Sequence, residues 1–283
     1  MILIADGGAT KTHWKLYDTN RQYTAETIGI SPVHTHPEDH YDALNARFRK
    51  DFPAMPDEVY FYGAGCASPK LCARVEALLH KLFPEASVVV ESDMLGAARA
   101  LLGNKQGIAC ILGTGSNSCL YDGASIKDQV PALGYILGDE GSGAVLGREI
   151  LNRYFKRDFP PELKQEFEEQ HDHTLEVVLP NIYQQASPSR YLAEFSRFIY
   201  NHLWHPYIRQ LAKDVFRSFI RRNISAYPRA QHYPVAFAGS VGWYYQYVIQ
   251  EVAQEEGFQT GAFMQSPIEG LSEYHLTIKN KQD

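Results

Sequence analysis

The chain has 283 residues and a formal net charge of −6; 45% of its residues are hydrophobic and 21% are charged. These are the values of an ordinary globular protein that is long enough for two domains, and the acidic balance argues against a nucleic-acid-binding surface. No run approaches the roughly 20 apolar residues of a membrane span, and Met1 leads into a strand-like segment without a basic region. We therefore expect a cytoplasmic enzyme without a membrane segment.

The first 30 residues predict three short strands, at 1–5, 12–17 and 22–28. The turn after the first strand is rich in glycines and hydroxyls, and a concavity of backbone N–H groups binds phosphate. A Walker A loop is excluded because Thr10, not glycine, precedes Lys11. We predict a phosphate-binding hairpin with Asp6 beside a hydrated Mg²⁺; the alternative is a tight hairpin in which Asp6 bonds to its own turn. The candidate phosphate ligands are Gly7, Gly8, Thr10, Lys11 and Thr12.

Helices and strands alternate along the next 70 residues, which indicates an α/β layer with a mixed sheet. Asp93 follows the strand at 87–90, and ligands bind at the carboxyl ends of strands in such sheets. Asp93 could there take a proton from a hydroxyl that attacks a γ-phosphate. Alternatively, Ser92 or Asp93 caps the following helix. The other elements predicted here are helices at 37–50, 70–82 and 94–102 and a strand at 58–62.

The pattern restarts at 103–107, which predicts a domain boundary, and strands follow at 108–112, 117–121 and 125–130. The first of these strands ends in a second glycine turn with hydroxyls, like the turn near the N-terminus. An ordinary hairpin is again the alternative, but two such turns indicate two phosphate clamps. The candidate ligands are Gly113, Thr114, Gly115 and Ser116, followed by Asn117.

The segment 134–143 carries four glycines, so its backbone can approach a ligand closely. Asp139 and Glu140 could accept hydrogen bonds from sugar hydroxyls, or Asp139 or Ser142 could cap the helix predicted at 143–155. Residues 161–226 read as mainly helical, with breaks at three prolines: Pro180, Pro188 and Pro206.

A last strand, 235–238, ends in Gly239 and Ser240, where a flat adenine could lie against the backbone. A helix at 243–255 follows.

The five segments together resemble the actin-like ATPase superfamily of acetate and sugar kinases, heat-shock 70 and actin. The resemblance is closer to its N-acetylglucosamine kinase and BadF/BcrA ATPase-like family, and it covers nearly the whole chain. It rests on the order of two phosphate loops (6–12 and 112–117), a base segment (91–93), a sugar loop (137–142) and an adenosine loop (238–240). One departure is Ser31, which stands where amino-sugar kinases of this family usually have Asn.

The resemblance implies an α/β, two-domain actin-like (ribonuclease H-like) fold with an ATP cleft between the domains. The domains would be 1–103, with a C-terminal helix at 271–283 packing back, and 104–270 with a helical insertion. Asp93 would be the general base, Asp6 would organise Mg²⁺, and Gly239 and Ser240 would flank ATP. The substrate-site candidates are Ser31, His34, Asn117, Gly138, Asp139 and Glu140.

The implied reaction transfers the γ-phosphoryl group of ATP to a hydroxyl of an N-acetylated amino sugar, N-acetylglucosamine or N-acetylmuramate. Two alternatives stay open: an ATPase that activates a partner enzyme, and a non-catalytic sugar or nucleotide sensor. The helical segment 161–226 could supply the surface of a homodimer.

Overall fold

The structure is a computed structural model that describes residues 1–8, 11–19, 21–33, 36–170 and 174–279. The chain divides into two compact units. Unit 1 comprises Met1–Lys105, Gly123–Ser125 and Ser266–Asp283, and unit 2 comprises Gln106–Asp122 and Ile126–Gln265. The predicted bounds of 1–103 with 271–283, and of 104–270, stay a prediction. Within the described residues, no helix is long and apolar enough to cross a membrane.

Unit 1 is built on a five-stranded sheet of order β3-β2-β1-β4-β5, in which β1, β2 and β3 pair antiparallel and β1, β4 and β5 pair parallel. The strands are β1 (Ile2–Gly7), β2 (Lys11–Tyr17), β3 (Gln22–Ile28), β4 (Glu58–Gly63) and β5 (Ser87–Ser92). The helices are α1 (Tyr41–Asp51), α2 (Pro69–Leu82), α3 (Asp93–Leu102) and α13 (Ile268–Lys279).

Side chains of β4 alternate between the two faces of this sheet, as the pleat requires. Phe61 packs with Trp14 in the core that also contains Phe48 of α1. On the other face, the Tyr62 hydroxyl lies 2.8 Å from Nε2 of His275 in α13. Tyr62 also contacts Gly96 of α3, where a Cβ would come within 2.8 Å of its ring. The position of α3, the helix that begins with Asp93, is therefore set by close packing.

Unit 2 is built on a second five-stranded sheet, of order β10-β9-β6-β7-β8. Its strands are β6 (Gly107–Leu112), β7 (Ser116–Tyr121), β8 (Ile126–Asp128), β9 (Val235–Ala238) and β10 (Thr260–Met264). Its helices are α4 (Gly134–Leu137), α5 (Gly143–Phe155), α6 (Pro161–Gln170), α7 (Leu175–Tyr183), α8 (Pro188–Glu194), α9 (Ser196–Asn201), α10 (Pro206–Phe219), α11 (Ser240–Tyr244) and α12 (Gln246–Glu255). A π-helix, Ile220–Ile224, directly continues α10.

The two sheets have the same topology. In each, three antiparallel strands come first, and the first of them then pairs parallel with a later strand. The α/β class and the two predicted glycine-turn hairpins, β1–β2 and β6–β7, are confirmed. Both hairpins therefore occupy the same place in their sheets.

Several predicted element limits were wrong. Pro188 and Pro206 begin α8 and α10, but Pro180 lies inside α7 and does not break it. An interior proline removes one intrahelical hydrogen bond and crowds the carbonyl four residues earlier, yet α7 continues through Pro180 to Tyr183. The predicted helix at 243–255 is two helices, α11 and α12, and α13 begins at Ile268 rather than after Gly270. Strand β10 and the short helix α4 were not predicted.

Candidate functional site

The first glycine turn joins β1 to β2 in unit 1. Gly7 pairs with Thr12 across the hairpin, and the Gly8 N–H donates to the Lys11 carbonyl at 2.9 Å. Thr12 is fully buried, and among the described residues its hydroxyl has no hydrogen-bond partner. A buried hydroxyl without a partner is costly, so it is suited to a polar ligand. The Lys11 ammonium pairs with Glu26 at 2.6 Å, and Thr10 lies outside the described residues.

Asp6 stands at the carboxyl end of β1, directly before this turn. Asp6 is half-buried, and the desolvation of its carboxylate raises its pKa, against the opposing effects of a hydrogen bond from Ser266 and the charge of His13. The Ser266 hydroxyl donates to Asp6 Oδ2 at 3.0 Å. The Asp6 carboxylate is therefore held by a residue that is 260 positions away in the sequence.

Asp93 is the first residue of α3 and follows β5 directly. The cap of this helix is Ser92, whose hydroxyl accepts from the Leu95 N–H at 3.2 Å. Asp93 Oδ1 accepts from the Met94 N–H at 2.8 Å. Burial raises the pKa of Asp93 to about 6; the Met94 bond opposes this rise and the charge of Asp6 adds to it. Two interacting carboxylates therefore lie at the strand ends of unit 1, and one has the pKa of a base at neutral pH.

The second glycine turn joins β6 to β7 in unit 2. The Gly113 N–H donates to the Gly115 carbonyl at 2.9 Å, and the turn carbonyls of Gly113 and Thr114 accept from the first two amides of α5 at 2.8 and 3.1 Å. The Ser116 N–H donates to Asp139 Oδ1 at 3.2 Å. This turn is therefore fixed by both α5 and Asp139.

Asp139 is buried and has a φ of 54°, a left-handed conformation that is uncommon outside glycine. Burial raises its pKa, while the Ser116 bond opposes the rise and the charge of Glu140 adds to it. Glu140 points elsewhere: Asn223 Nδ2 donates to its Oε2 at 3.3 Å and Arg222 lies 3.5 Å from its Oε1. Gly138 precedes this pair and lines a cavity with Glu140. The helix α5 is capped by Ser142, whose hydroxyl accepts from the Val145 N–H.

Gly239 and Ser240 stand between β9 and α11. Gly239 has a φ of 102°, and a Cβ there would collide with the Leu112 carbonyl. Only glycine satisfies both the conformation and the contact. The strand–glycine junction predicted from sequence is therefore present, and Ser240 is the first residue of α11.

Two adjoining cavities of unit 2 both touch this junction. The first, about 320 Å³, also reaches Gly113 and Thr114 of the second glycine turn. The second, about 540 Å³, extends from Ser240 to Tyr200 and Tyr244. The turn, the junction and two tyrosine rings thus line neighbouring cavities, which share the lining residues Ser196, Ser240 and Val241.

The remaining substrate candidates lie in both units. Ser31 is buried beside Gly65, where a Cβ would lie 3.2 Å from its hydroxyl oxygen. Asn117 Oδ1 accepts from the Ser118 N–H and from Gln129 Nε2 at 2.9 and 3.1 Å. His34 lies outside the described residues.

The described residues contain no group of three histidine, cysteine or acidic side chains that could hold a metal ion. Mg²⁺ needs no such group, since it is commonly bound through one or two carboxylates, several waters and substrate phosphates. A half-buried carboxylate beside a phosphate-type turn, as at Asp6, fits that mode of binding.

Sequence reasoning found the turns and the acids but missed three contacts that hold them. These are Ser266 on Asp6, Asn223 on Glu140, and Asp139 on the Ser116 amide. The partners in each pair are 260, 83 and 23 positions apart, and no local pattern marks them.

Neither a scan against protein-family models nor a search of curated proteins finds a match. Among solved structures, the chain is 41% identical to a candidate N-acetylglucosamine kinase from Porphyromonas gingivalis, with a TM-score of 0.92 over 98% of this chain and 99% of that one. A candidate N-acetylglucosamine kinase from Chromobacterium violaceum matches 96% of this chain and 98% of its own at 17% identity and a TM-score of 0.75.

A ROK hexokinase from Thermus thermophilus matches over 98% of this chain and 99% of its own, with 14% identity and a TM-score of 0.56. These two more distant likenesses show the fold alone, a two-domain fold of the actin-like ATPase type. The Porphyromonas relative is similar over nearly its full length at 41% identity. The chain therefore belongs to the N-acetylglucosamine kinase-like family.

Proposed function

We propose that the protein is an ATP-dependent kinase that transfers the γ-phosphoryl group to a hydroxyl of an N-acetylated amino sugar, N-acetylglucosamine or N-acetylmuramate. The observation that carries the proposal is the 41% identity, over 98% of the chain, to a candidate N-acetylglucosamine kinase. The acids and glycine turns described above are of the types that this chemistry requires.

Asp93 is the proposed general base. A base works best when its pKa lies near the operating pH, and burial brings the pKa of Asp93 to about 6. Its place at the junction of β5 and α3 leaves the capping of α3 to Ser92. The carboxylate would accept the proton of the sugar hydroxyl as the phosphoryl group moves in line, a reaction that depends mainly on positioning and charge neutralisation.

The phosphates of ATP are proposed to bind the two glycine turns. In unit 1 the ligands would be the turn amides and the Thr12 hydroxyl, whose burial without a partner suits a phosphate oxygen. Mg²⁺ would neutralise phosphate charge when bound, and Asp6 would orient its water shell. In unit 2 the two adjoining cavities suit the nucleoside, because together they extend from the second turn past Ser240 to Tyr200 and Tyr244.

The sugar is proposed to bind Asp93 together with residues of the predicted substrate set. Ser31 offers one hydroxyl where the family's usual Asn offers an amide donor and acceptor. The identity of the sugar therefore depends on the remaining candidates, which are His34, Asn117, Gly138 and Asp139, whereas Glu140 accepts a hydrogen bond from Asn223. Cytoplasmic location and a homodimer are further parts of the proposal, to be checked by cell fractionation and light scattering.

The test is ADP release with Mg²⁺-ATP, first without sugar and then with N-acetylglucosamine, N-acetylmuramate, glucosamine and glucose in turn. We expect one N-acetyl sugar to stimulate ADP release strongly and to appear as its phosphate ester by mass spectrometry. The matched control is Asp93→Asn, which should bind ATP normally and lose most turnover. A rate that is independent of sugar, or an Asp93→Asn variant with wild-type turnover, would overturn the proposal.

A further inference from the structure

Two consecutive acids of the glycine-rich loop of unit 2 are held in different directions. Asp139 accepts from the Ser116 amide at 3.2 Å in the second glycine turn. Glu140 instead accepts from Asn223 at 3.3 Å. The loop is thus attached to the turn on one side and to the end of α10 on the other.

The backbone of Asp139 is strained. With a φ of 54° it occupies the left-handed region, which is sparsely populated by non-glycine residues. Such a conformation persists only when the surrounding structure over-determines it. The local bonds, from the Asp139 N–H to the Ala132 carbonyl at 3.0 Å and from the Ser142 N–H to the Asp139 carbonyl at 3.1 Å, supply part of that restraint.

The loop also contacts the π-helix that continues α10. Its i→i+5 bond runs from the Ser225 N–H to the Ile220 carbonyl at 2.9 Å. Asn223 is buried within this turn and reaches Glu140, while Phe219, one turn earlier, packs on Gly141, where a Cβ would lie 2.9 Å from its side chain. Single π-turns are rare and are found frequently at functional sites.

We propose that Asn223 and Glu140 form a positioning pair that keeps Asp139 in its strained conformation and its carboxylate on the Ser116 amide. Glu140 then acts through Asp139 rather than by touching substrate, and the pair sets the geometry of the second glycine turn. The expected effect of the pair on turnover rests on the proposed kinase function. Its expected effect on the geometry of the second glycine turn does not, because that geometry is independent of catalysis.

Four variants test the pair: Asn223→Ala, Glu140→Ala, their double variant, and Glu140→Gln, which keeps an oxygen for Asn223. Each single alanine variant should lower kcat/KM for the sugar about 10-fold, the loss of one hydrogen bond to a charged group. The double variant should lose about the same 10-fold rather than 100-fold, because the two residues act as one unit. Glu140→Gln should stay near wild type.

The second readout is hydrogen exchange at the Ser116 amide, which needs no turnover. Exchange should accelerate in both alanine variants and stay at the wild-type rate in Glu140→Gln. Arg221→Ala is the matched control, since Arg221 lies in the same π-helix but pairs with Glu256 at 2.8 Å. It should leave both readouts and the thermal midpoint unchanged.

Two results would overturn the proposal that Asn223 and Glu140 form a positioning pair. The first is that Glu140→Gln lowers kcat/KM as much as Glu140→Ala does while hydrogen exchange at the Ser116 amide stays normal. The charge of Glu140 would then contact the substrate directly. The other is unchanged Ser116 exchange in Asn223→Ala. A wild-type protein that phosphorylates no sugar would instead refute the proposed function, and the exchange comparison would still decide the role of the pair.

Discussion

Replacing Asp93 by Asn should stabilise the protein while it abolishes turnover. The folded-state pKa of about 6 lies above the ordinary value of 3.8 because burial disfavours the charged carboxylate. The folded state therefore holds this proton more tightly than the unfolded state, so the group favours folding at low pH and loses that contribution as the pH rises from about 4 to about 6. Above this window the ionised carboxylate lowers the free energy of unfolding by about 3 kcal/mol at most, because each unit of difference between the folded and unfolded pKa values corresponds to ~1.4 kcal/mol.

Asparagine removes that cost and keeps an oxygen for the Met94 amide, which donates to Asp93 Oδ1 at 2.8 Å. We expect Asp93→Asn to raise the free energy of unfolding by up to about 3 kcal/mol at pH 7.5 and by only about 1 kcal/mol at pH 4.5. Urea unfolding at both pH values measures this difference. The fluorescence of Trp14, which is buried in the same unit, supplies the signal.

The control is Glu85→Gln, which removes an exposed carboxyl of the same unit. Its effect should be small at both pH values. A gain for Asp93→Asn that is equal at pH 4.5 and 7.5, or no gain at pH 7.5, would refute the reasoning that burial of the charge raises the pKa. Retained turnover in the variant would separately refute the role of Asp93 as base.

Three further predictions concern the same acid and the packing around the two units. First, kcat/KM should fall about tenfold for each pH unit below about 6, because the base must be ionised, and a flat profile down to pH 5 would contradict this. Second, Gly96→Ala should displace α3 from Tyr62, lowering kcat more than it changes the KM for ATP and destabilising the fold by about 1–3 kcal/mol, as measured by steady-state kinetics and urea unfolding. Third, Gly239→Ala, at a φ of 102°, should destabilise unit 2 by at least ~2 kcal/mol in urea unfolding and weaken ATP binding in calorimetry. The control is Gly257→Ala, at a φ of 79°, where a Cβ would meet no atom of a distant residue nearer than 3.8 Å; this variant should leave ATP binding intact.

The features that could be predicted from the sequence are those that neighbouring residues determine. A short apolar run that ends in a glycine-rich turn specifies a strand and a turn within about ten positions, so both hairpins were predicted. The helix that begins at Asp93 was found for the same reason, since a Ser–Asp pair before an apolar run is a local start signal. Strand β10 was missed because Thr260–Met264 is short, contains a glycine and is only partly buried, so that no alternation marks it.

The remaining features depend on long-range packing. Asp139 has a left-handed conformation, and its carboxylate accepts from an amide 23 positions earlier; nothing in the neighbouring sequence indicates either feature. The bond from Ser266 to Asp6 exists because α13 returns to unit 1. Likewise, the π-helix at 220–224 differs from an α-helix in the backbone bond from the Ser225 N–H to the Ile220 carbonyl. The spacing of apolar residues does not reveal such a change.

The shared topology of the two sheets separates what the backbone provides from what the side chains provide. Both first strands end in a glycine turn, but the residue before the turn is Asp6 in unit 1 and the fully buried Leu112 in unit 2. The backbone can therefore offer amides to phosphates in both units, whereas unit 1 alone places an acid at this strand end. Asp93, whose pKa responds to Asp6, belongs to the same unit. Among these equivalent positions, the proton transfer that we propose for Asp93 would thus take place in unit 1. In unit 2 the acid near the turn, Asp139, already accepts a backbone amide and so holds the turn in shape.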